Sequence, residues 1–275
     1  MPSDSEETNP PIVSLRGINK RFDGRPVLQG LDLEVETGRS LVIMGPSGCG
    51  KSVLLKHIVG LLRPDSGEVR FHGQRIDAMN ERGFRPIRRR IGFLFQGAAL
   101  FDSMTVRENV AFPLLETGQA GPDLEQRVRE TLDRVGLADT LDKMPSELSG
   151  GMRKRVGLAR AIVLEPEMVL YDEPTTGLDP IRGNVINDLI VRLQRDLNIT
   201  SVVVTHDLDS AFQVADRMVL LHEGRVRMDG TPDVLRHTSD PVVRAFLEGR
   251  EVSDGSIDDP GIGAHTSEEP ETLRP

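Results

Sequence analysis

Gly45-Pro46-Ser47-Gly48-Cys49-Gly50-Lys51-Ser52 fits the phosphate-binding pattern G-x-x-x-x-G-K-[ST], and its flanks decide the fold class. The apolar run Leu41-Val42-Ile43-Met44 ahead of it reads as a buried strand, and Ser52 to Val59 behind it carries apolar residues at helical spacing. Glycines let a backbone wrap closely round an anion, and a helix N-terminus points unpaired N–H groups at it. Lys51 would then reach the β- and γ-phosphates of a nucleotide, and the Ser52 hydroxyl would bind Mg²⁺. Without a ligand the same residues would form a glycine-rich turn; the motifs further along argue against that.

Composition limits the alternatives. A chain of 275 residues can bury a substantial core, and its formal charge of -9 gives no sign of nucleic acid as the main partner. No apolar run is long enough to span a bilayer, and no signal-peptide pattern opens the sequence. Any role at a membrane is therefore expected to run through a partner. Cys49 is the single cysteine, which fits a reducing compartment. Its place beside Lys51 and a helix N-terminus predicts a depressed thiol pKa, which burial would oppose.

N-terminal to the loop, Ile12 to Leu15 and Leu31 to Val35 alternate in polarity, which predicts antiparallel strands with one wet face. Phe22 and an Asp23-Gly24 turn lie between them, and spacing alone favours Phe22 as an ordinary core aromatic. C-terminal to the loop, Glu68 to Phe71 reads as a further strand. Arg82, Arg85, Arg88, Arg89 and Arg90 read as a solvated basic face. Ile91 to Gln96 is a short buried strand ending in a polar residue, and Gly97-Ala98-Ala99-Leu100-Phe101 is unusually apolar for a loop. Leu124, Val128, Leu132 and Val135 share one helical face in a region without strands, which suggests an inserted helical subdomain over about 97–163.

Ser149 is a good N-cap, and Gly150 and Gly151 leave bare N–H groups at a positive helix end, a second anion site. The helix is expected over Arg153 to about Val163, with Arg153, Lys154 and Arg155 as surface charge. Met168 to Glu173 reads as a buried parallel strand ending in two carboxylates, where α/β sheets bind ligands. Asp172 and Glu173 point different ways, so one can hold a metal while the other faces reacting water. Gly177-Leu178-Asp179-Pro180 turns the chain into a helix with Ile186, Leu189, Ile190, Leu193 and Leu197 on one face. Ser201 to His206 is the next buried strand, and His206 falls beside the expected phosphate site. Met218 to Leu221 and Arg225 to Met228 flank a hairpin at Glu223-Gly224. Thr231-Pro232 and Asp240-Pro241 each start a short helix, the second with the apolar stripe Val242, Val243, Phe246 and Leu247.

The phosphate loop, Gln96, Leu148-Ser149-Gly150-Gly151, Asp172-Glu173, the Gly177-Leu178-Asp179 turn and His206 occur in that order. Together they resemble the ATP-binding subunits of ABC transporters, over roughly Ile12 to Gly230. The resemblance implies a P-loop NTPase core of mainly parallel sheet flanked by helices, with an N-terminal antiparallel β-subdomain. It also implies two such subunits meeting head to tail, each ATP lying between one chain's Gly45–Ser52 and the other's Ser149–Gly151. By the same carry-over Phe22 stacks on adenine, and Gln96 binds Mg²⁺ or water and faces an integral membrane permease. Asp172 supports Mg²⁺, Glu173 polarises the attacking water, Asp179 works across the dimer, and His206 touches the γ-phosphate.

Phe22 stands where a tyrosine is common in this family, and Met152 where the general signature has glutamine. The stretch Leu148 to Val156 is similar to a narrower group, the ATPases paired with Mce-type and Mla-type lipid transporters. Phe95 to Phe101, Asp172 to Pro180 and Asp240 to Gly249 are similar to that group too. This implies a phospholipid or lipid transport ATPase working with a permease and an Mce-domain lipid-binding protein, on the cytoplasmic face of the inner membrane. The stripe on the last helix is expected, on the same resemblance, to contact the second subunit. Other readings are the ATPase of an amino-acid or metal-ion importer, and a soluble ABC ATPase of repair or translation. The last class carries a long coiled-coil insertion or two cassettes in one chain, neither of which is present. The expected organisation is a disordered segment 1–10, one ATPase domain 11–249 with C-terminal helices over 231–249, and an acidic flexible tail 250–275.

Overall fold

A computed structural model describes residues 10–250; the segments expected to be disordered lie outside the described residues, apart from Pro10 and Arg250 at their inner ends. The strands in chain order are β1 (Val13–Phe22), β2 (Arg25–Val35), β3 (Ser40–Met44), β4 (Ser66–Phe71), β5 (Gln74–Arg75), β6 (Ile91–Leu94), β7 (Met168–Asp172), β8 (Thr200–Val204), β9 (Arg217–His222) and β10 (Arg225–Gly230). The helices are α1 (Lys51–Ile58), α2 (Glu81–Arg89), α3 (Val106–Glu116), α4 (Leu124–Arg134), α5 (Gly150–Ile162), α6 (Pro180–Leu197), α7 (Leu208–Val214), α8 (Pro232–Arg236) and α9 (Pro241–Leu247).

The strands form a four-stranded sheet in the order β2-β1-β4-β5 and a six-stranded sheet in the order β10-β9-β3-β8-β7-β6. The smaller sheet is antiparallel throughout, whereas the larger is parallel except where β10 pairs with β9. Parallel strands covered on both faces read as unbroken apolar runs, and β3 and β8 are buried at every residue. Their side chains alternate between two cores. Leu41 and Ile43 point toward the antiparallel sheet, α1 and α2, while Val42 and Met44 point toward α3 to α7. The helices α3, α4 and α5 between β6 and β7 share that second core, with Val110, Leu114, Val128, Leu132 and Val156 packed together with Val42 and Val169. Helix α5 thus belongs to the same packed body as β6, its loop and the carboxylate strand β7.

Some elements differ from the sequence reading. Helix α2 runs through the basic cluster around Pro86, a residue that argues against a helix, and buries Phe84 and Ile87 on one side. Arg82, Arg85 and Arg89 on its outer side are exposed. Arg88 instead pairs with Glu81 and donates to the Val59 and Gly60 carbonyls at 3.0 and 3.2 Å, and Arg90 pairs with Glu167. The basic cluster is therefore only partly a solvated face. Helix α5 begins at Gly150 rather than Arg153, because Ser149 caps it directly. On α9 Val243 is fully buried in the chain's own core, and Phe246 and Leu247 pack against that core. Of the stripe expected to contact a second subunit, Val243 is taken up by the chain's own core, while Val242, Phe246 and Leu247 stay half-buried on a helix that Asp240 caps and Arg227 ties to β10.

Candidate functional site

The topology gathers the candidate residues at one end of the larger sheet. The phosphate loop follows β3, His206 follows β8, Asp172 and Glu173 end β7, and Gln96 follows β6. These are adjacent strands, so their C-terminal ends line a single edge, the place where open α/β sheets take ligands.

The loop itself is shaped for close backbone approach. A Cβ on Gly45 would lie 2.3 Å from the Leu221 carbonyl oxygen and 2.7 Å from Cys49 Sγ. A Cβ on Gly50, whose φ is +104°, would lie 2.7 Å from Leu28 Cδ2. Lys51 Nζ is buried and donates to the carbonyls of Gly45 and Pro46 at 2.7 and 3.0 Å, while Ser47 and Gly48 at the tip are exposed. An ammonium curled onto its own loop can exchange those carbonyls for the oxygens of a bound phosphate.

Ser52 Oγ donates to Asp172 Oδ1 at 2.8 Å, so the two residues expected to hold a metal are side by side. A hydroxyl and a carboxylate, with no nitrogen or sulfur donor, suit Mg²⁺, which takes one or two carboxylates plus phosphate oxygens and water. Glu173 lies just past the end of β7 and points elsewhere: its Oε2 accepts from Thr176 Oγ1 at 3.1 Å and lies 2.9 Å from His206 Nδ1. Glu173 has φ +51°, left-handed backbone that an L-residue adopts only when its surroundings hold it there. Its own N–H is fixed to the Val204 carbonyl of β8 at 2.9 Å.

Other predicted residues lie apart from this edge. Ser149 Oγ accepts from the Met152 N–H at 3.3 Å, and a Cβ on Gly151 would approach Arg182 at 3.7 Å. Asp179 caps α6 through the Arg182 N–H. Ser149, Gly151 and Asp179 therefore gather at the start of α6, and among the described residues no hydrogen bond or ion pair joins Ser149, Gly150 or Gly151 to the phosphate loop. Phe22 is 42% exposed at the end of β1, with Lys20 Nζ 5.5 Å from the ring centre, so it is not the core aromatic that spacing favours. Gln96 is exposed beyond β6. Phe95 and Phe101 are exposed apolar positions on either side of the loop that follows it, while Ala98 and Leu100 turn inward.

Two sequence expectations are overturned. Lys154 is not surface charge: it is 5% exposed and donates to the Gln96 and Glu173 carbonyls. A run of basic residues carries no signal that one of them turns inward to backbone acceptors. Cys49 has its thiol pKa raised, because burial outweighs the nearby Lys51 charge and loop amides. The thiol form accordingly dominates at neutral pH. A maleimide is expected to label Cys49 slowly at pH 7 and progressively faster as pH rises, with Mg-ATP slowing the reaction further. Rapid, pH-independent labelling in a stopped-flow assay would mean that Cys49 is a thiolate after all.

Comparison with known proteins adds the following. Residues 28–176 match the family model described as ABC transporter. The chain is 41% identical over 250 residues to the intermembrane phospholipid transport system ATP-binding protein MlaF of Haemophilus influenzae, covering 90% of this chain and 94% of that protein. It is also 41% identical over 241 residues to a probable ribonucleotide transport ATP-binding protein of Mycobacterium leprae, covering 87% of this chain and 70% of that one. Among solved structures, cbiO1 of Clostridium perfringens, part of an ABC transporter complex, superposes with a TM-score of 0.78 at 32% identity, covering 87% of this chain and 96% of the other. An ATP-binding cassette solved as a dimer in a post-hydrolysis state with ADP and Pi gives 0.73 at 33% identity, covering 80% and 98%.

Proposed function

The chain belongs to the ABC transporter family and is an ATP-binding, ATP-hydrolysing subunit of it, and on that premise we propose that it powers phospholipid transport. The observation that carries the catalytic part is the separation of the two carboxylates that end β7. Asp172 turns to Ser52, and Glu173 turns to His206.

Lys51 and the loop amides bind the phosphates, and Ser52, Asp172 and Gln96 hold Mg²⁺. When bound there, Mg²⁺ offsets charge on the phosphate oxygens. Glu173 accepts a hydrogen bond from the attacking water and orients it. His206 holds the Glu173 carboxylate from one side and is placed to contact the γ-phosphate. Phe22 offers its exposed face to adenine. The N–H groups of Gly150 and Gly151, with Ser149 and Asp179, serve the phosphates held by a second copy of the chain. A helix end placed away from its own phosphate loop supports this head-to-tail reading.

The lipid assignment rests on relatives named for intermembrane phospholipid transport. Among the described residues no helix is long and apolar enough to cross a membrane, so membrane work falls to a permease. We place the subunit on the cytoplasmic face, bound to that permease through Phe95, Phe101 and neighbouring apolar positions, with an Mce-domain protein as a further partner. The ribonucleotide named for the mycobacterial relatives is the competing cargo. In proteoliposomes holding subunit and permease, ATP is expected to drive transfer of a fluorescent phospholipid but no flux of ribonucleotide. Phe101→Asp should abolish permease pull-down and transfer, and leave ATP binding by the isolated subunit in place. Nucleotide flux without lipid transfer would reverse the assignment.

A further inference from the structure

We infer that Lys154 is a positioning residue that ties the signature helix α5 to the chain's own Gln96 and Glu173. The inference rests on the head-to-tail reading above, because it gives α5 two sites to serve.

Lys154 lies on the first turns of α5, whose N-terminus carries Ser149, Gly150 and Gly151. Its ammonium donates to the Gln96 carbonyl and, at 3.1 Å, to the Glu173 carbonyl. Those peptides belong to the loops after β6 and β7; among the described residues the one other hydrogen bond from an α5 side chain to these loops is that of Arg160 to the Ala98 carbonyl at 2.8 Å. The Glu173 residue is thus held at both ends: its N–H by Val204, and its carbonyl by Lys154 at 3.1 Å together with the Thr176 N–H of its own turn at 3.3 Å. With φ at +51°, it needs such holding, since relaxation to an ordinary backbone conformation would swing the carboxylate away from His206 and Thr176.

Burial pushes the Lys154 ammonium toward a lower pKa, and the Glu173 and Asp172 carboxylates oppose that shift. A buried ammonium is retained only where it is well paired, and here its partners are the two carbonyls. A glutamine amide also carries two N–H donors, but it is one atom shorter and planar, whereas the ammonium on its four-carbon stem reaches both loops with three rotatable N–H donors. When ATP held by the second subunit draws on the N-terminus of α5, any shift of that helix moves Lys154 and, with it, the backbone of Gln96 and Glu173. One site's ATP thereby sets the geometry of the other site's catalytic carboxylate.

The test uses the full-length subunit in complex with its permease, with Lys154→Met, Lys154→Ala and Glu173→Gln assayed side by side. Lys154→Met is expected to lower kcat about tenfold or more, as small misplacements of catalytic groups do. KM for ATP should stay within about threefold, because phosphate binding does not use Lys154. Propylamine, which can fill the space left by Lys154→Ala and supply an ammonium, should restore part of that variant's kcat. A kcat within about twofold of wild type in Lys154→Met and Lys154→Ala, with Glu173→Gln inactive, would overturn the inference alone. Failure of propylamine to raise kcat in a folded Lys154→Ala would overturn it too. Normal turnover in Glu173→Gln would instead bring down the catalytic reading on which it rests.

Discussion

Glu173→Gln is expected to bind ATP with near wild-type affinity and to lose turnover by roughly two orders of magnitude or more, the usual weight of a positioned general base. The reason lies in what each half of the Glu173 residue does. Its backbone is held by Val204 and Lys154, contacts that a glutamine side chain leaves alone. Its carboxylate meets Thr176 and His206, and the amide keeps the shape but cannot take a proton from water. The phosphate loop, Ser52 and Asp172 are untouched, so binding survives. Single-turnover hydrolysis of radiolabelled ATP, alongside equilibrium binding, separates the two effects. Turnover near wild type would remove Glu173 from this role.

Lys51→Ala is expected to act on the other quantity, lowering ATP affinity by about tenfold to a hundredfold. A hydrogen bond to a charged group contributes about 1.5–3 kcal/mol, and about 1.4 kcal/mol is a factor of ten. The buried ammonium satisfies the Gly45 and Pro46 carbonyls. Those bonds are given up when the ammonium turns to phosphate, so their absence in the variant offsets part of the loss of direct phosphate contacts. Isothermal titration with a non-hydrolysable ATP analogue reads the change. Unaltered affinity would mean that the ammonium remains on its own loop in the bound state.

How much of this was legible in the sequence depends on the kind of contact. Gly45 to Ser52 could be read because its demands are local: glycines where the backbone must pack closely, an apolar strand before and a helix after. Asp172 and Glu173 do part as the alternation reading has it, but for another reason: β7 stops at Asp172, and a left-handed backbone turn at Glu173 sends its carboxylate to His206. Ser149 is legible as a cap, although a helix read from Arg153 misses the first turn, which Gly150 and Gly151 already form. Helix α2 was hidden by Pro86 and by a polar face that outweighs its two buried residues. Lys154 was out of reach for a different reason. Its partners are backbone carbonyls from segments distant in the chain, and a carbonyl leaves no mark on residue type. Cys49 failed on balance rather than kind: both opposing influences were visible, but only the fold shows that burial is the larger.

The central claim is that each ATP site is built from two chains, and mixed dimers test it most directly. Dimers are purified through two affinity tags, with Lys51→Ala and Ser149→Arg placed either on opposite chains or together on one chain beside a wild-type partner. If the phosphate loop of one chain faces the Ser149–Gly151 helix end of the other, opposite placement leaves one intact site, whereas placement together damages both. ATPase activity is then expected in the first dimer and near background in the second. Activity in the second dimer but not in the first would contradict the account, since it would put Lys51 and Ser149 to work on the same nucleotide within one chain.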